Sequence, residues 1–210
     1  MAQSKKDSDI ELCSKAFETP LILVPDTRIQ RVPPFRGIDY PPPCRISEVN
    51  FQILRDGVFT LAVSAGFDFT GHPGYHVFND LRFMKHRRSF WQPILRTGYP
   101  IYIVSSMFGV IWPGDRIGPY DLGMEESFIY WKQNQLWRVI LEFYDRCDCD
   151  CVISYLPNLY DNIVRIEDTP WYIFEPYDII DHMPFLLKIA RNSQYNSETQ
   201  DTEYNTIPAG

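Results

Sequence analysis

IYIVSSMFGVIWPGDRIGPYDLGM, running from Ile101 to Met124, is the stretch whose reading decides the fold. It opens on Ile101, Tyr102, Ile103 and Val104, β-branched and aromatic residues that favour a pleated, buried strand. Pro113, Gly114, Gly118 and Pro119 then punctuate the chain, so Ser105, Ser106, Asp115, Arg116, Tyr120 and Asp121 fall beyond the strand's carboxyl end. Ligands of α/β sheets bind at that edge. The loop is therefore the expected site, with Ser105 and Ser106 offering hydroxyls, Asp115 and Asp121 carboxylates, and Arg116 an anion contact.

Downstream, Phe128, Trp131, Gln135, Leu136, Val139, Ile140 and Phe143 recur at near-helical spacing, with Glu125 and Glu126 placed well for a helix start. The spacing predicts a helix over Ser127 to Tyr144. Cys151 to Tyr155 reads as the next strand, Val164 to Ile166 and Trp171 to Pro176 as further strands, and Asp178 to Arg191 as a final helix. Upstream, Asn79 to Leu95 reads as a helix, and the apolar run VFTLAVSAG after Gly57 as a buried strand. Strands alternating with helices predict an α/β fold with a mostly parallel central sheet flanked by helices.

Residues 20–47 hold Pro20, Pro25, Pro33, Pro34, Pro41, Pro42 and Pro43, interleaved with Arg28, Arg31, Arg36 and Arg45. Such a segment cannot be helical, and it reads as an extended proline-rich arm that wraps the domain or docks a protein partner. The expected organisation is a flexible N-terminus over residues 1–19, a single domain over 20–191 that includes the arm, and a polar, disordered tail over 192–210.

The 210 residues are 45% hydrophobic and 15% aromatic, a composition suited to a folded core. A formal charge of -7 means that the molecule as a whole repels polyanions, so any nucleic-acid contact must come from a local basic patch. No run of about 18 apolar residues occurs, and MAQSKKDSDIEL lacks a signal-peptide core. The expectation is a soluble, cytoplasmic protein without a membrane partner. Cys147, Cys149 and Cys151 stand at C-x-C-x-C spacing, which is not the C-x2-C of structural zinc sites. They read as a turn leading into a buried strand, with no metal and no cofactor expected. Nor is there a G-x-G-x-x-G, P-loop or G-x-S-x-G motif.

Three other groups bear chemistry. In GFDFTGHPGYH, Asp68 with His72 and His76 would suit base excision, the carboxylate stabilising a cationic sugar or activating water. Arg82, Lys85, Arg87 and Arg88 lie on the Asn79 to Leu95 segment, where a strip of phosphate contacts is geometrically possible. Trp112, beside the Pro113-Gly114 turn, and Tyr120 are candidates for a stacking wall.

Ser105, Ser106, Phe108, Gly109, Pro113, Asp115, Ile117, Pro119 and Tyr120 resemble the S-x-x-[YF]-G-[LV]-[LIV]-x-P-x-D-x-I-x-P-Y segment of the YaaA-like superfamily of peroxide-stress proteins and related phage and prokaryotic domains. Gly66 and Asp68 also resemble, distantly, the G-x-D that follows a strand in uracil-DNA glycosylases. The resemblance implies DNA binding or action near modified bases. It frames the functional expectation, a DNA N-glycosidase-like enzyme, against the alternative of a noncatalytic DNA- or protein-binding stress or viral accessory module.

Overall fold

The computed structural model describes residues 19–33, 39–63 and 71–192. The expectations for the N-terminus, for the tail from residue 193 and for Gly66 and Asp68 lie outside these residues. The described chain runs β1 (Pro20–Pro25), α1 (Glu48–Ala62), β2 (His72–Pro73), α2 (Gly74–Val77), α3 (Leu81–Met84), a π-helical turn (Arg87–Trp91), α4 (Gln92–Arg96), β3 (Ile101–Ser105), β4 (Gly109–Ile111) and β5 (Arg116–Ile117). It continues through α5 (Met124–Gln133), α6 (Trp137–Arg146), β6 (Cys151–Ser154), α7 (Asn158–Val164), β7 (Trp171–Ile173) and α8 (Asp178–Asn192).

One sheet organises these elements, in the order β4-β3-β1-β6-β7. β1 pairs in parallel with β3 on one side and β6 on the other, β7 continues the parallel set, and β4 folds back antiparallel on β3. The fold is thus α/β with a mostly parallel central sheet flanked by helices. His72 and Pro73 form a separate two-stranded ribbon with Arg116 and Ile117.

The central strand is β1, Pro-Leu-Ile-Leu-Val-Pro, every residue of it buried. Here the structure corrects the sequence reading, which placed these residues in the proline-rich arm. Prolines are excluded from the interior of a central strand because they cannot donate to the ladder, but Pro20 and Pro25 stand only at its two ends. Further along the same segment the expectation of wrapping fits better: the Tyr40 carbonyl accepts from the Trp112 indole at 3.2 Å, and Asp39 pairs with Arg116.

A second correction concerns VFTLAVSAG, whose described part lies in α1 and not in a strand. Leu61 is buried while Phe59 and Val63 are 76% and 82% exposed, so the run is one face of a helix plus its solvent side. Ser47 caps α1 by accepting from the Asn50 backbone N–H. Gly57 lets α1 approach Trp131, because a Cβ at that position would lie 2.3 Å from the indole Cη2.

The predicted helix over Ser127 to Tyr144 is two helices, since Gln135 adopts the left-handed region at φ 57° and ends the first. Asn79 to Leu95 is likewise broken: Asp80 caps α3, a π turn follows, and Pro93 sits in the first turn of α4. Val164 to Ile166 is no strand, Val164 being the last residue of α7. The strands at Ile101 and Cys151 and the final helix stand where the residue pattern placed them.

Candidate functional site

β1, β3 and β6 bring their carboxyl ends together. From β1 the chain crosses to β3 on one side and then to β6 on the other, so the sheet has its topological switch between β1 and β6. At such a point the outgoing loops diverge and leave a crevice in which α/β proteins place their ligands. Asp26 is the first residue beyond β1, and its N–H extends the ladder to the Val104 carbonyl at 3.0 Å.

The Asp26 side chain gathers donors from both sides of the switch. From the β3 side, Ser106 donates its backbone N–H at 2.8 Å and its hydroxyl at 2.7 Å to Oδ2, and the Tyr120 hydroxyl donates to the same oxygen. From the β6 side, Tyr160 on α7 donates to Oδ1 at 2.7 Å. Asp26, Ser106 and Tyr120 are all buried, and Ser105 is wholly so. Ser105 Oγ lies 2.7 Å from the Tyr120 hydroxyl and accepts the Phe108 N–H at 3.1 Å, so its proton is directed to Tyr120, whose own goes to Asp26.

Burial first, and then the Asp26 carboxylate, push the Tyr120 phenol well above its ordinary pKa, and the same two causes raise Tyr160. Both phenols therefore remain donors at neutral pH. No cation pairs with the Asp26 carboxylate among the described residues; neutral donors alone satisfy it. A carboxylate offers about four lone-pair sites; the Ser106 N–H, the Ser106 hydroxyl and the Tyr120 hydroxyl crowd onto Oδ2, while Oδ1 accepts from Tyr160 alone among the described residues. Oδ1 thus keeps an acceptor position beside Tyr160, while the four donors fix the place and orientation of the carboxylate.

Outer contacts lock the donors in place. Trp131 donates its indole N–H to the Ser106 carbonyl at 2.7 Å, and the Tyr120 N–H is held by the Gln30 side-chain oxygen at 2.9 Å. Tyr160 is positioned by its neighbour Asp161, which accepts from Ser154 at 2.9 Å and from the Trp171 indole at 2.8 Å. Arg82, bound to Asp80, reaches the Asp26 carbonyl at 3.2 Å.

Of the residues singled out in the sequence, Ser105, Ser106 and Tyr120 meet in this network. The others lie elsewhere. Asp115 closes its own turn by accepting the Trp112 N–H at 2.8 Å, and Asp121 points to solvent with a long 3.8 Å pair to Arg28. Neither carboxylate hydrogen-bonds to the network; each serves a local turn or surface contact. Trp112 is 1% exposed and packs edge-on against Tyr102, which corrects its reading as a pocket wall. Arg116 is committed to the Gly71 carbonyl at 2.7 Å and to Asp39.

The basic strip is also corrected. Arg82 is buried and ion-paired with Asp80, so only Lys85 and Arg88 of the strip are exposed cations, while Arg87 folds back toward the His76 carbonyl at 3.5 Å. His72 joins the small ribbon and His76 is buried in α2. Burial, followed by Arg87, Arg31 and His72, lowers the His76 pKa to about 4, which keeps its ring neutral at physiological pH.

Asp26 and Tyr160 were missed in the sequence. Each follows a short apolar run, LILVPD and VISYLPNLY, and that position after a buried strand was the available signal. Among the described residues no group of three or more His, Cys, Asp or Glu is disposed to hold a metal ion, and no helix is long and apolar enough to cross a membrane. No family model matches the chain, and no curated protein matches it significantly.

Proposed function

We propose that the chain is a DNA N-glycosidase-like enzyme acting on a base, natural or modified, with Asp26 as the carboxylate that stabilises the cationic sugar. The observation that carries this reading is the convergence of Ser106 and Tyr120, the latter backed by Ser105, on one buried carboxylate at the switch point of the sheet. Glycosidic bond cleavage passes through an oxocarbenium-like state, and a fixed negative charge in a low-dielectric site stabilises such a state without reorganising. Lys85 and Arg88 remain available for backbone phosphates on the protein's exterior.

A second reading is favoured by a specific observation: Asp26 is 5% exposed and accepts four hydrogen bonds from within the protein, as in a purely structural polar network. On that reading the chain is a noncatalytic module that binds DNA or protein. Release of free base from DNA, followed by alkaline strand scission at the abasic site, separates the two. The enzyme should release base from at least one natural or modified substrate, and Asp26→Asn should slow release by at least about 100-fold, the scale of losing an electrostatic stabiliser. Should no substrate lose a base, the module reading replaces the enzyme, and the salt dependence of DNA binding then decides between nucleic acid and protein as partner.

A further inference from the structure

A second group of charges lies near the same end of the sheet and is not explained by folding. Arg31 follows Gln30, the residue that holds Tyr120, and its N–H donates to the Val77 carbonyl at the end of α2 at 3.0 Å. Arg87 reaches the carbonyl of the preceding residue, His76, and His72 stands just before the same short helix. Arg31, Arg87 and His72 each act electrostatically on His76 within this helix, so two guanidinium groups and an imidazole are gathered around α2. Arg31 Nε, Arg87 Nε and His72 Nδ1 are each buried without a hydrogen-bond partner among the described residues. Neither arginine has an ion pair there either.

Partly buried cations that face one another are unfavourable unless an anion joins them. Arg87 is accordingly lowered in pKa, by burial first and then by Arg31. A guanidinium presents its Nε–H and a terminal N–H as a planar fork that matches two oxygens of a tetrahedral oxyanion, and an imidazole N–H supplies one further donor. A carboxylate has two oxygens to offer, whereas a phosphate can meet all three groups at once.

We propose that Arg31, Arg87 and His72 form a phosphate-binding subsite. Its assignment to a nucleotide phosphate of the substrate rests on the function proposed above, whereas phosphate binding itself does not. The arginines would fix the phosphate while the sugar beyond it is presented toward Asp26.

The test is titration of the full chain with inorganic phosphate at constant ionic strength, followed by calorimetry and by the arginine Nε–H resonances. The wild type should bind in the millimolar range or tighter, with the Arg31 and Arg87 signals shifting together. Arg31→Gln with Arg87→Gln should weaken binding at least about tenfold, the loss of one to two charge-assisted hydrogen bonds. The exposed Lys188→Gln should leave it unchanged. No binding below about 10 mM, the weak end of specific recognition, or unshifted arginine signals in the wild type would overturn the subsite even if the double variant fails to fold. A dinucleotide without terminal phosphates, compared with a mononucleotide, shows whether the site takes a backbone phosphodiester or a phosphomonoester. Phosphate binding without base release would sink the glycosidase and spare the subsite; base release without phosphate binding would do the reverse.

Discussion

Replacing Asp26 by alanine should lower the free energy of unfolding by about 3–5 kcal/mol, the range reached when a buried polar network loses its acceptor. The substitution leaves the Ser106 N–H and hydroxyl, the Tyr120 hydroxyl and the Tyr160 hydroxyl facing a cavity in the interior. Each orphaned donor costs about 1–3 kcal/mol when nothing replaces its partner. Water entering the cavity recovers part of this, so the penalties do not simply add. Asp26→Asn keeps the shape and one acceptor oxygen but turns an amide N–H₂ toward donors, and should cost about 1–3 kcal/mol. Denaturant unfolding with an unchanged m-value measures both. A loss below about 1 kcal/mol for the alanine variant would place Asp26 outside the core network.

The second large effect is expected at Gly109, the glycine of the motif. It sits at φ 73°, where a Cβ is disfavoured, and an added Cβ would lie 2.8 Å from Leu54 Cδ2 and 2.9 Å from Leu136 Cδ1. Left-handed backbone costs about 1 kcal/mol for alanine relative to glycine. Crowding of a close-packed core adds about 1–3 kcal/mol, so Gly109→Ala should destabilise by about 2–4 kcal/mol in the same unfolding experiment. Because Trp131 Cη2 is also only 3.1 Å away, the clash bears on the side chain whose indole holds the Ser106 carbonyl. Near-wild-type stability would mean that α1 and α5 can withdraw from the sheet edge without cost.

The sheet was legible where the residues have only one physical use. Ile101 to Val104 and the strand beginning at Cys151 are short apolar runs bounded by turns, too short for a core helix, and both are buried parallel strands. β1 was not legible because its prolines suggested an extended arm; only their position at the two ends is compatible with a central strand. In α1, Val58, Leu61 and Ala62 carry the inward face and Phe59 the outward one, a pattern that a contiguous apolar run conceals.

Half of the candidate site was visible for the same reason. Ser105, Ser106 and Tyr120 are close in sequence, and a strand followed by a proline-rich turn announces them. Asp26 lies 94 residues from Tyr120 and 134 from Tyr160, and only the pairing of β1 between β3 and β6 brings them together. Asp115 drew attention as a carboxylate in the motif, but aspartate is a turn residue, and its side chain caps the turn that carries it.

The central claim is that Asp26 stabilises positive charge on a sugar. DNA carrying a cationic pyrrolidine in place of one deoxyribose mimics the oxocarbenium-like state, and the tetrahydrofuran abasic site is its neutral counterpart. The wild type should bind the cationic analogue at least about 100-fold more tightly than the neutral one, as expected of a transition-state mimic, and Asp26→Asn should abolish that preference while leaving the neutral affinity in place. Equal affinity of the wild type for the two analogues would contradict the claim.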